Sequence, residues 1–193
     1  EIDNQYIMSP KDLATLGFLD KLINAGISIL KIEGRGRPAE YVGTVIRVYK
    51  EAVKAIEDKT YSEEKIKSWM EEVGKVYNRG FWGGYYMGKE IGEWTKRHGS
   101  SATKTKEIIG RITNYFSNIG VAEARAETGE VLPGEEFLIT GPTTGIIEGH
   151  FEEIHINNKA QDKAEKGQLF AFKVPRLVRR GDKLYRRVIT NRE

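Results

Sequence analysis

The sequence predicts an α/β fold over the first part of its 193 residues and an all-β fold over the rest. Apolar strand candidates alternate with amphipathic helical patterns over residues 1–77, which is typical of βα units. From residue 105 onward, short strand candidates are separated by turn signals roughly every ten residues. We therefore expect domains at 1–77 and 105–193, joined at 78–104 by a connector rich in glycine and aromatic residues.

The first predicted elements are a short strand and a helix. Gln5–Met8 is an apolar strand candidate. The helix is predicted to start at Ser9, because Pro10 suits the first helical position and Asp12 completes a capping box. Gly26 suits the end of this helix, since glycine readily adopts the left-handed conformation of a helix C-terminus.

A second strand and two longer helices follow. The strand is predicted over Ile27–Ile32, a mostly apolar run bounded by glycines, as expected for a buried parallel strand. Pro38 is predicted to start a long helix, and Ser62 to cap another with two glutamates in its first turn. The predicted apolar faces are Tyr41, Val42, Val45, Ile46, Tyr49, Val53 and Ile56 in the first helix and Ile66, Trp69, Met70 and Val73 in the second.

These elements do not make a complete α/β sheet. Two parallel strands with three helices cannot bury both faces of a sheet, because parallel strands need neighbours on each side. Such units occur at the end of a larger βα array. We therefore expect residues 1–77 to be the last βα units of a (βα)8-type barrel. The N-terminal part of that barrel would be absent here or supplied by another copy of the chain.

The all-β region is predicted as a small antiparallel barrel, closed or half-closed. Turn signals occur at 141–142, 157–158 and 180–182. The six predicted strands are 107–116, 119–127, 135–140, 145–156, 168–174 and 183–189.

Composition excludes several classes of protein. With 39% hydrophobic and 31% charged residues, the chain is neither disordered nor collagen-like. It has no cysteine, which excludes thiolate nucleophiles and cysteine-ligated metals and fits a reducing, cytoplasmic compartment. No apolar run approaches the ~20 residues of a membrane span. The three histidines are dispersed, so we expect no metal site, and neither a Ser/His/Asp grouping nor a Walker phosphate loop is present.

The most specific candidate site is the charged end of the second predicted strand. Alternate residues of a strand share a face, so Lys31 and Glu33 point away from Leu30 and Ile32. The apolar pair suits the helix layer of a barrel. Lys31 and Glu33 would then lie in the lumen at the strand's C-terminal end, where such barrels have their active sites. We predict Lys31, Glu33 and Arg35 as catalytic residues. The alternative is a structural Lys31–Glu33 ion pair with a solvated Arg35.

Two loops are predicted to bind the substrate. Arg35 and Arg37 precede the helix that starts at Pro38. Guanidinium groups, backbone donors and the helix dipole together favour a carboxylate or phosphate there. Asn78 and Arg79 lie in the glycine-rich aromatic segment, which would form a ligand lid. The alternative for that segment is a connector that packs against the barrel.

The C-terminal stretch is basic. From Lys173 to Glu193 it holds eight basic and two acidic residues, although the whole chain carries a net charge of only +3. A basic edge on a small β-barrel is typical of RNA-binding modules. The alternative is a solvated face. The predicted nucleic-acid-binding residues are Lys173, Arg176, Arg179, Arg180, Arg186 and Arg187.

Several sequence blocks are specific enough to indicate a family. They are 9–13, 30–35, 39–42, 49–52, 78–81 and 179–182. These blocks and their spacing resemble the collagenase-like peptidase family of unknown catalytic type over most of the chain. The resemblance implies a (βα)8-type catalytic domain and a C-terminal β-barrel similar to the second domain of elongation factor Tu. It also adds Tyr41 to the substrate-binding residues.

The resemblance implies two alternative activities. One is peptide hydrolysis by a peptidase, with Glu33 as general acid or base. The other is hydroxylation of bases in transfer or ribosomal RNA, to which some relatives are linked. Many relatives carry a cysteine where this chain has Ala14. We therefore expect no cofactor in this chain, and any iron–sulfur cluster in the absent N-terminal part.

The incomplete barrel predicts that the absent N-terminal segment or another copy of the chain is a partner. The two alternative activities predict a peptide or an RNA as the substrate, and we expect no contact with a membrane. This part alone is not expected to be catalytically complete.

Overall fold

The computed structural model describes residues 10–88, 93–95 and 99–190. The chain divides into two compact units, Glu1–Thr103 and Lys104–Glu193. None of the helices within the described ranges combines the length and the apolar character that a membrane crossing requires.

The first unit is mainly helical. Its two longer helices, α2 (Ala39–Glu57) and α3 (Glu63–Gly74), begin where the sequence predicts. Pro38 precedes α2, and the Ser62 hydroxyl caps α3 by accepting a hydrogen bond from the backbone N–H of Lys65. Two short strands pair in parallel, with Asp12 opposite Phe81. The elements of this unit are β1 (Asp12–Leu13), a 3-10 turn (Leu16–Phe18), α1 (Leu19–Asn24), α2 (Ala39–Glu57), α3 (Glu63–Gly74) and β2 (Phe81–Trp82).

The helices of the first unit share one apolar core. Most of the predicted face of α2 packs against this core, but Ile46 is 42% exposed and Val48, which was not predicted, is fully buried. The predicted face of α3 is confirmed at Trp69 and Val73, which are both buried. The buried members of this core are Leu16, Leu19, Val45, Val48, Ala52, Ala55, Trp69 and Val73.

The prediction of a helix that starts at Pro10 is wrong. Residues after Pro10 are extended and pair with distant backbone: the N–H of Asp12 donates to the Gly80 carbonyl at 2.8 Å. Helical structure starts only at Leu16. The local capping pattern is overridden here by pairing with chain that lies far away in sequence. The predicted cap Ser9 and the strand candidate Gln5–Met8 lie outside the described residues.

The strand predicted at Ile27–Ile32 is also absent from the part of the chain that the structure describes. This segment has no regular secondary structure, and Ile29 is 85% exposed. A strand requires hydrogen-bonded neighbours, and the described residues place none beside it. Ile32 alone packs against the helical core, on the face that the alternation argument assigned to the helix layer.

The second unit is an antiparallel sheet of eight strands, as expected for an all-β region after the helices. Its strand order is β6-β5-β10-β3-β4-β9-β7-β8. The strands are β3 (Lys104–Phe116), β4 (Val121–Ala126), β5 (Glu136–Gly141), β6 (Gly145–His150), β7 (Ile154–Ile156), β8 (Lys159–Gln161), β9 (Leu169–Lys173) and β10 (Lys183–Ile189).

One predicted strand, 145–156, is two strands in the structure. Phe151 interrupts it, because this residue is fully buried and exchanges backbone hydrogen bonds with Gly134 and Glu135. The predicted turn at Asn157–Asn158 connects β7 to β8. Both asparagines have positive φ angles, 51° and 61°, as in a type I′ hairpin turn.

The sheet surrounds a single core of its own. Four phenylalanine rings form its centre, with the Phe151 and Phe172 centroids 4.8 Å apart in an edge-to-face arrangement. Three alanines of β4 are fully buried beneath these rings and leave room for them. The phenylalanines are Phe137, Phe151, Phe170 and Phe172.

Candidate functional site

A cleft of about 570 Å³ in the first unit collects five of the seven predicted catalytic and substrate-binding residues. It lies between the β1 segment, the irregular segment after α1 and one face of α2. Its charged lining residues are Lys11, Asp12, Lys31, Glu33, Arg37 and Arg79, and its tyrosines are Tyr41, Tyr49 and Tyr86.

Asp12 is the centre of the charged cluster in this cleft. Its carboxylate accepts hydrogen bonds from Nη2 of Arg37 at 2.6 Å and from the backbone N–H of Arg79 at 2.9 Å. Nη2 of Arg79 is more distant, at 3.4 Å. The Asp12 side chain is only 10% exposed, so its charge requires these partners. The local sequence pattern predicted Asp12 in a helix cap, and no signal near it in the sequence indicates the contact with Arg37 and Arg79.

Arg37 is held on three sides. In addition to Asp12, its guanidinium carbon lies 5.2 Å from the ring centroid of Tyr41 and 4.6 Å from that of Tyr77. Partial burial and the nearby Asp12 carboxylate raise the pKa of Tyr41 above its ordinary value. The sequence predicted that Arg37 binds a carboxylate or phosphate of a ligand. In the structure, the carboxylate of Asp12 in the same chain is its anionic partner.

The predicted catalytic residues are exposed. Lys31 and Glu33 line the cleft, whereas Arg35 is not among its lining residues. The Glu33 carboxylate accepts a hydrogen bond from the backbone N–H of Arg35 at 2.7 Å. Across the described residues no ion pair joins Lys31 to Glu33, so the structural alternative of such a pair is not observed.

Asn78 shapes the turn that carries Arg79. It is buried, its amide donates to the Val76 carbonyl at 2.9 Å, and its side-chain oxygen accepts from the Gly80 N–H at 3.0 Å. Gly80 has a φ of 83°, which glycine adopts without strain. Asn78 therefore positions Arg79 rather than facing the cleft itself.

The described residues contain no group of three or more His, Asp or Glu side chains that could hold a metal ion. His150 lies 3.7 Å from Glu136 and His155 lies 3.0 Å from Glu153, both at the surface of the sheet unit. His98 lies outside the described residues. The lining of the cleft supplies guanidinium, ammonium, carboxylate and phenol groups.

The structure divides the basic residues of the C-terminal stretch into two sets. Arg186 is paired with Glu135 at 2.8 Å, and Arg187 is paired with Glu148. The side chains of a second set form no ion pair among the described residues, although the backbone N–H of Arg179 donates to the Asp182 carboxylate at 2.8 Å. Within it, Arg179 Nη1 donates to the Thr144 hydroxyl at 3.3 Å, and Arg176 donates to the backbone carbonyl of Ile146. We call this set the basic corner; it comprises Arg176, Arg179, Arg180 and Lys183, and Lys173 is also exposed without an ion pair in the described structure.

Comparisons with known proteins agree with the resemblance seen in the sequence. Residues 1–96 match the profile of Peptidase family U32. A collagenase from Porphyromonas gingivalis is 52% identical over 96% of this chain and 52% of that protein. The tRNA hydroxylation protein P1 of Bacillus subtilis is 35% identical over 60% of this chain and 27% of that protein.

A solved C-terminal domain of a protein described as a U32 peptidase, from Geobacillus thermoleovorans, is 23% identical. It covers 42% of this chain and 91% of its own, with a TM-score of 0.39. The chain spans about half the length of the curated relatives it matches first, 52% and 45%. On the family profile and the 52% identity, the chain belongs to the collagenase-like peptidase family U32.

Proposed function

We propose that this chain is the C-terminal portion of a collagenase-like peptidase and that its cleft binds the polypeptide substrate. The observation that carries the proposal is the 52% identity to a collagenase over 96% of the chain. The cleft supports it, because apolar and aromatic walls next to fixed charged groups suit a peptide. Arg37, Tyr41 and Arg79 are the proposed substrate contacts, with Asn78 behind them.

Glu33 is the proposed general base and acid. Its Oε1 accepts from the Arg35 N–H, which orients the carboxylate and leaves the other oxygen for a water molecule. The carboxylate would take a proton from the water that attacks the peptide carbonyl and return it to the departing amine. Lys31, which lines the cleft, would stabilise the negative charge that develops on the carbonyl oxygen. Arg35 does not line the cleft and would act through its backbone N–H, which holds Glu33.

Gelatin cleavage by the full-length protein tests this proposal. Glu33→Gln should lower the rate at least about a hundredfold, because the amide cannot accept the proton. Glu57→Gln is the matched control, since it makes the same change at an exposed position at the end of α2. Full activity in Glu33→Gln would contradict the role of Glu33. No cleavage by the unaltered protein would contradict the peptidase proposal itself.

We further propose that the segment 27–33 becomes a strand of a (βα)8-type barrel in the complete protein. Exposed apolar side chains support this, because Ile27 and Ile29 are 46% and 85% exposed next to the cleft. The preceding barrel strands, or those of another copy, would pair with this segment. The same preceding part would hold the ligands of any iron–sulfur cluster. In the second unit, the single core beneath the strands supports a small barrel like the second domain of elongation factor Tu.

Amide hydrogen exchange tests the proposed strand. Residues 28–32 should exchange more slowly in the complete protein than in the 193-residue chain, because pairing protects backbone N–H groups. The exchange of α2 is the internal reference, since its hydrogen bonds are already made. Equal exchange of residues 28–32 in both proteins would contradict the proposal.

RNA modification is the second candidate function, and the basic corner is the observation that favours it. Three arginines and a lysine lie there within residues 176–183, and their side chains form no ion pair in the described structure. Such a surface suits the phosphates of a nucleic acid. Relatives described as tRNA hydroxylation proteins match part of the chain. The predicted RNA contacts Arg186 and Arg187 are neutralised by glutamates, so we expect them to contribute less to RNA binding than the basic corner does.

Transfer RNA binding at low and moderate salt tests this candidate. Arg179→Glu with Arg180→Glu should weaken binding by about tenfold or more, and the affinity of the unaltered protein should fall with salt. Lys159→Glu with Lys166→Glu is the control, since both lysines are exposed in the same unit and the net charge changes equally. Equal effects of the two double variants would indicate a response to net charge alone and no binding site at the corner.

A further inference from the structure

The guanidinium of Arg79 is only partly satisfied by its surroundings. Its Nη2 donates to Asp12 over a long 3.4 Å, and its Nε is buried without a hydrogen-bond partner among the described residues. A buried donor without an acceptor costs free energy, so such groups usually have a reason to be there. The Arg79 side chain also lines the cleft, where it is 31% exposed. It is placed to take an acceptor from outside the chain.

Arg37 is fixed beside it on the same carboxylate. Among the described residues its guanidinium makes one hydrogen bond, to Asp12, which uses a single N–H of the five that a guanidinium carries. The described part of the chain offers no acceptor for the others. Because Asp12 and the rings of Tyr41 and Tyr77 already restrict the side chain, little conformational entropy would be lost when a ligand binds to it.

The charge balance of the cleft favours a ligand with one negative charge. Asp12 lies between two guanidinium groups, which leaves about one unit of positive charge at this end. Lys31 and Glu33 contribute opposite charges, and Lys11 is paired with Glu93. A carboxylate would balance the excess, whereas a dianionic phosphate would reverse its sign.

We infer that Arg37 and Arg79 form a carboxylate-binding subsite, with Asp12 as the residue that positions both. The ligand carboxylate would accept two hydrogen bonds from the fork of Arg79 and one from Arg37. A small turn of the Arg79 guanidinium towards the cleft brings its Nε to the ligand and removes the cost of the unpaired donor. The inference rests on the proposed function for the choice of ligand, which is a peptide with a free C-terminal carboxylate.

Calorimetric titration of the full-length protein tests the subsite without requiring cleavage. The probes are acetyl-glycyl-prolyl-glycine, the same peptide as its C-terminal amide, acetate and inorganic phosphate. We expect the acid to bind at least about tenfold more tightly than the amide, because only the acid accepts charge-assisted hydrogen bonds. Acetate that competes with the acid would identify a free carboxylate as sufficient. Binding of the acid without acetate competition would identify the peptide terminus as the ligand.

Substitutions then locate the subsite. Arg79→Gln should remove the preference for the acid over the amide, and Arg79→Lys should restore only part of it, because an ammonium lacks the fork geometry. Arg47→Gln is the matched control; this exposed arginine of α2 pairs with Glu51 and does not line the cleft. It should leave the preference unchanged.

Four results would overturn the inference. They are equal binding of the acid and the amide, tighter binding of phosphate than of acetate, no binding of any probe, and an unchanged preference in Arg79→Gln. The first three concern the unaltered protein, so they decide the question even if Arg79→Gln fails to fold. A protein that binds the acid but cleaves no gelatin would contradict the proposed peptidase and leave the subsite standing.

Discussion

Asp12 joins two arginines that belong to separate sequence motifs. Arg37 follows the predicted catalytic loop, and Arg79 belongs to the aromatic connector. The carboxylate is largely buried, so its negative charge is stable only with both partners in place. Removing that charge leaves two half-buried guanidinium groups facing each other.

Asp12→Asn should therefore destabilise the first unit by about 3 kcal/mol. The measurement is urea denaturation followed by tryptophan fluorescence, which reports this unit alone because all three tryptophans lie within residues 1–103. Asp58→Asn is the control: its ion pair with Lys54 is exposed, so the loss should stay below about 1 kcal/mol. Equal losses in the two variants would show that the Asp12 cluster is no more than a surface network.

Glu136 makes the second unit sensitive to acid. Lys104, with Nζ 2.7 and 2.6 Å from the two carboxylate oxygens, lowers the pKa of Glu136 below its ordinary value of 4.5. A carboxyl whose pKa is lower in the folded state contributes stability above pH 4.5, and this contribution is lost as the pH falls through the folded pKa.

Glu136→Gln should thus flatten the dependence of unfolding free energy on pH below about 4.5, because glutamine does not titrate. Chemical denaturation between about pH 6 and pH 3, followed by far-UV circular dichroism, measures that dependence. Glu152→Gln, an exposed carboxyl without an ion pair in the described structure, should retain the slope of the unaltered chain. A Glu136→Gln slope as steep as that of Glu152→Gln would contradict the assignment.

At the scale of elements, α3 is encoded almost entirely by local sequence. Ser62 accepts from the Lys65 N–H, two glutamates occupy the first turn, and the buried positions Trp69 and Val73 are four residues apart. Each of these features involves only residues of the helix and its cap, so the helix can be recognised from the local sequence alone. By contrast, β1 forms only because β2 lies beside it.

Ser62→Ala should destabilise the first unit by about 1 kcal/mol, because one N–H of the first turn loses its acceptor. Tryptophan fluorescence during urea denaturation again measures the free energy of unfolding. Ser68→Ala makes the same change at an exposed position inside α3, where alanine is the better helix former, and should be neutral or slightly stabilising. A Ser62→Ala protein as stable as Ser68→Ala would mean that the cap contributes nothing.

At the scale of the whole molecule, the chain is two units with separate cores. The core of the sheet unit draws every member from residues 109–184, and the core of the helical unit draws its buried members from residues 16–73. A unit that buries its own apolar residues is able to fold by itself.

Residues 104–193 should fold alone and unfold cooperatively. Far-UV circular dichroism during heating is the measurement, with a β-sheet spectrum expected at room temperature. Phe172→Ala should cost about 3–5 kcal/mol, because this ring is buried in the sheet core. Leu177→Ala, at a residue that is 50% exposed, should change the midpoint little. A disordered spectrum for unaltered 104–193 would show that the sheet depends on the rest of the chain.

The sequence by itself determined the family and the parts of the fold that rest on local patterns. Pro38 and Ser62 mark the starts of α2 and α3, and Asn157 with Asn158 marks a turn. Only the tertiary structure decided which charges meet. Asp12 is separated from Arg37 by 25 residues and from Arg79 by 67, and no local pattern specifies such a contact. In the same way, glutamates distant in sequence pair with Arg186 and Arg187, whereas the side chains of the basic corner form no ion pair in the described structure. Local propensity acts over one or two turns of chain, whereas a buried charge is stabilised by whatever the fold brings beside it.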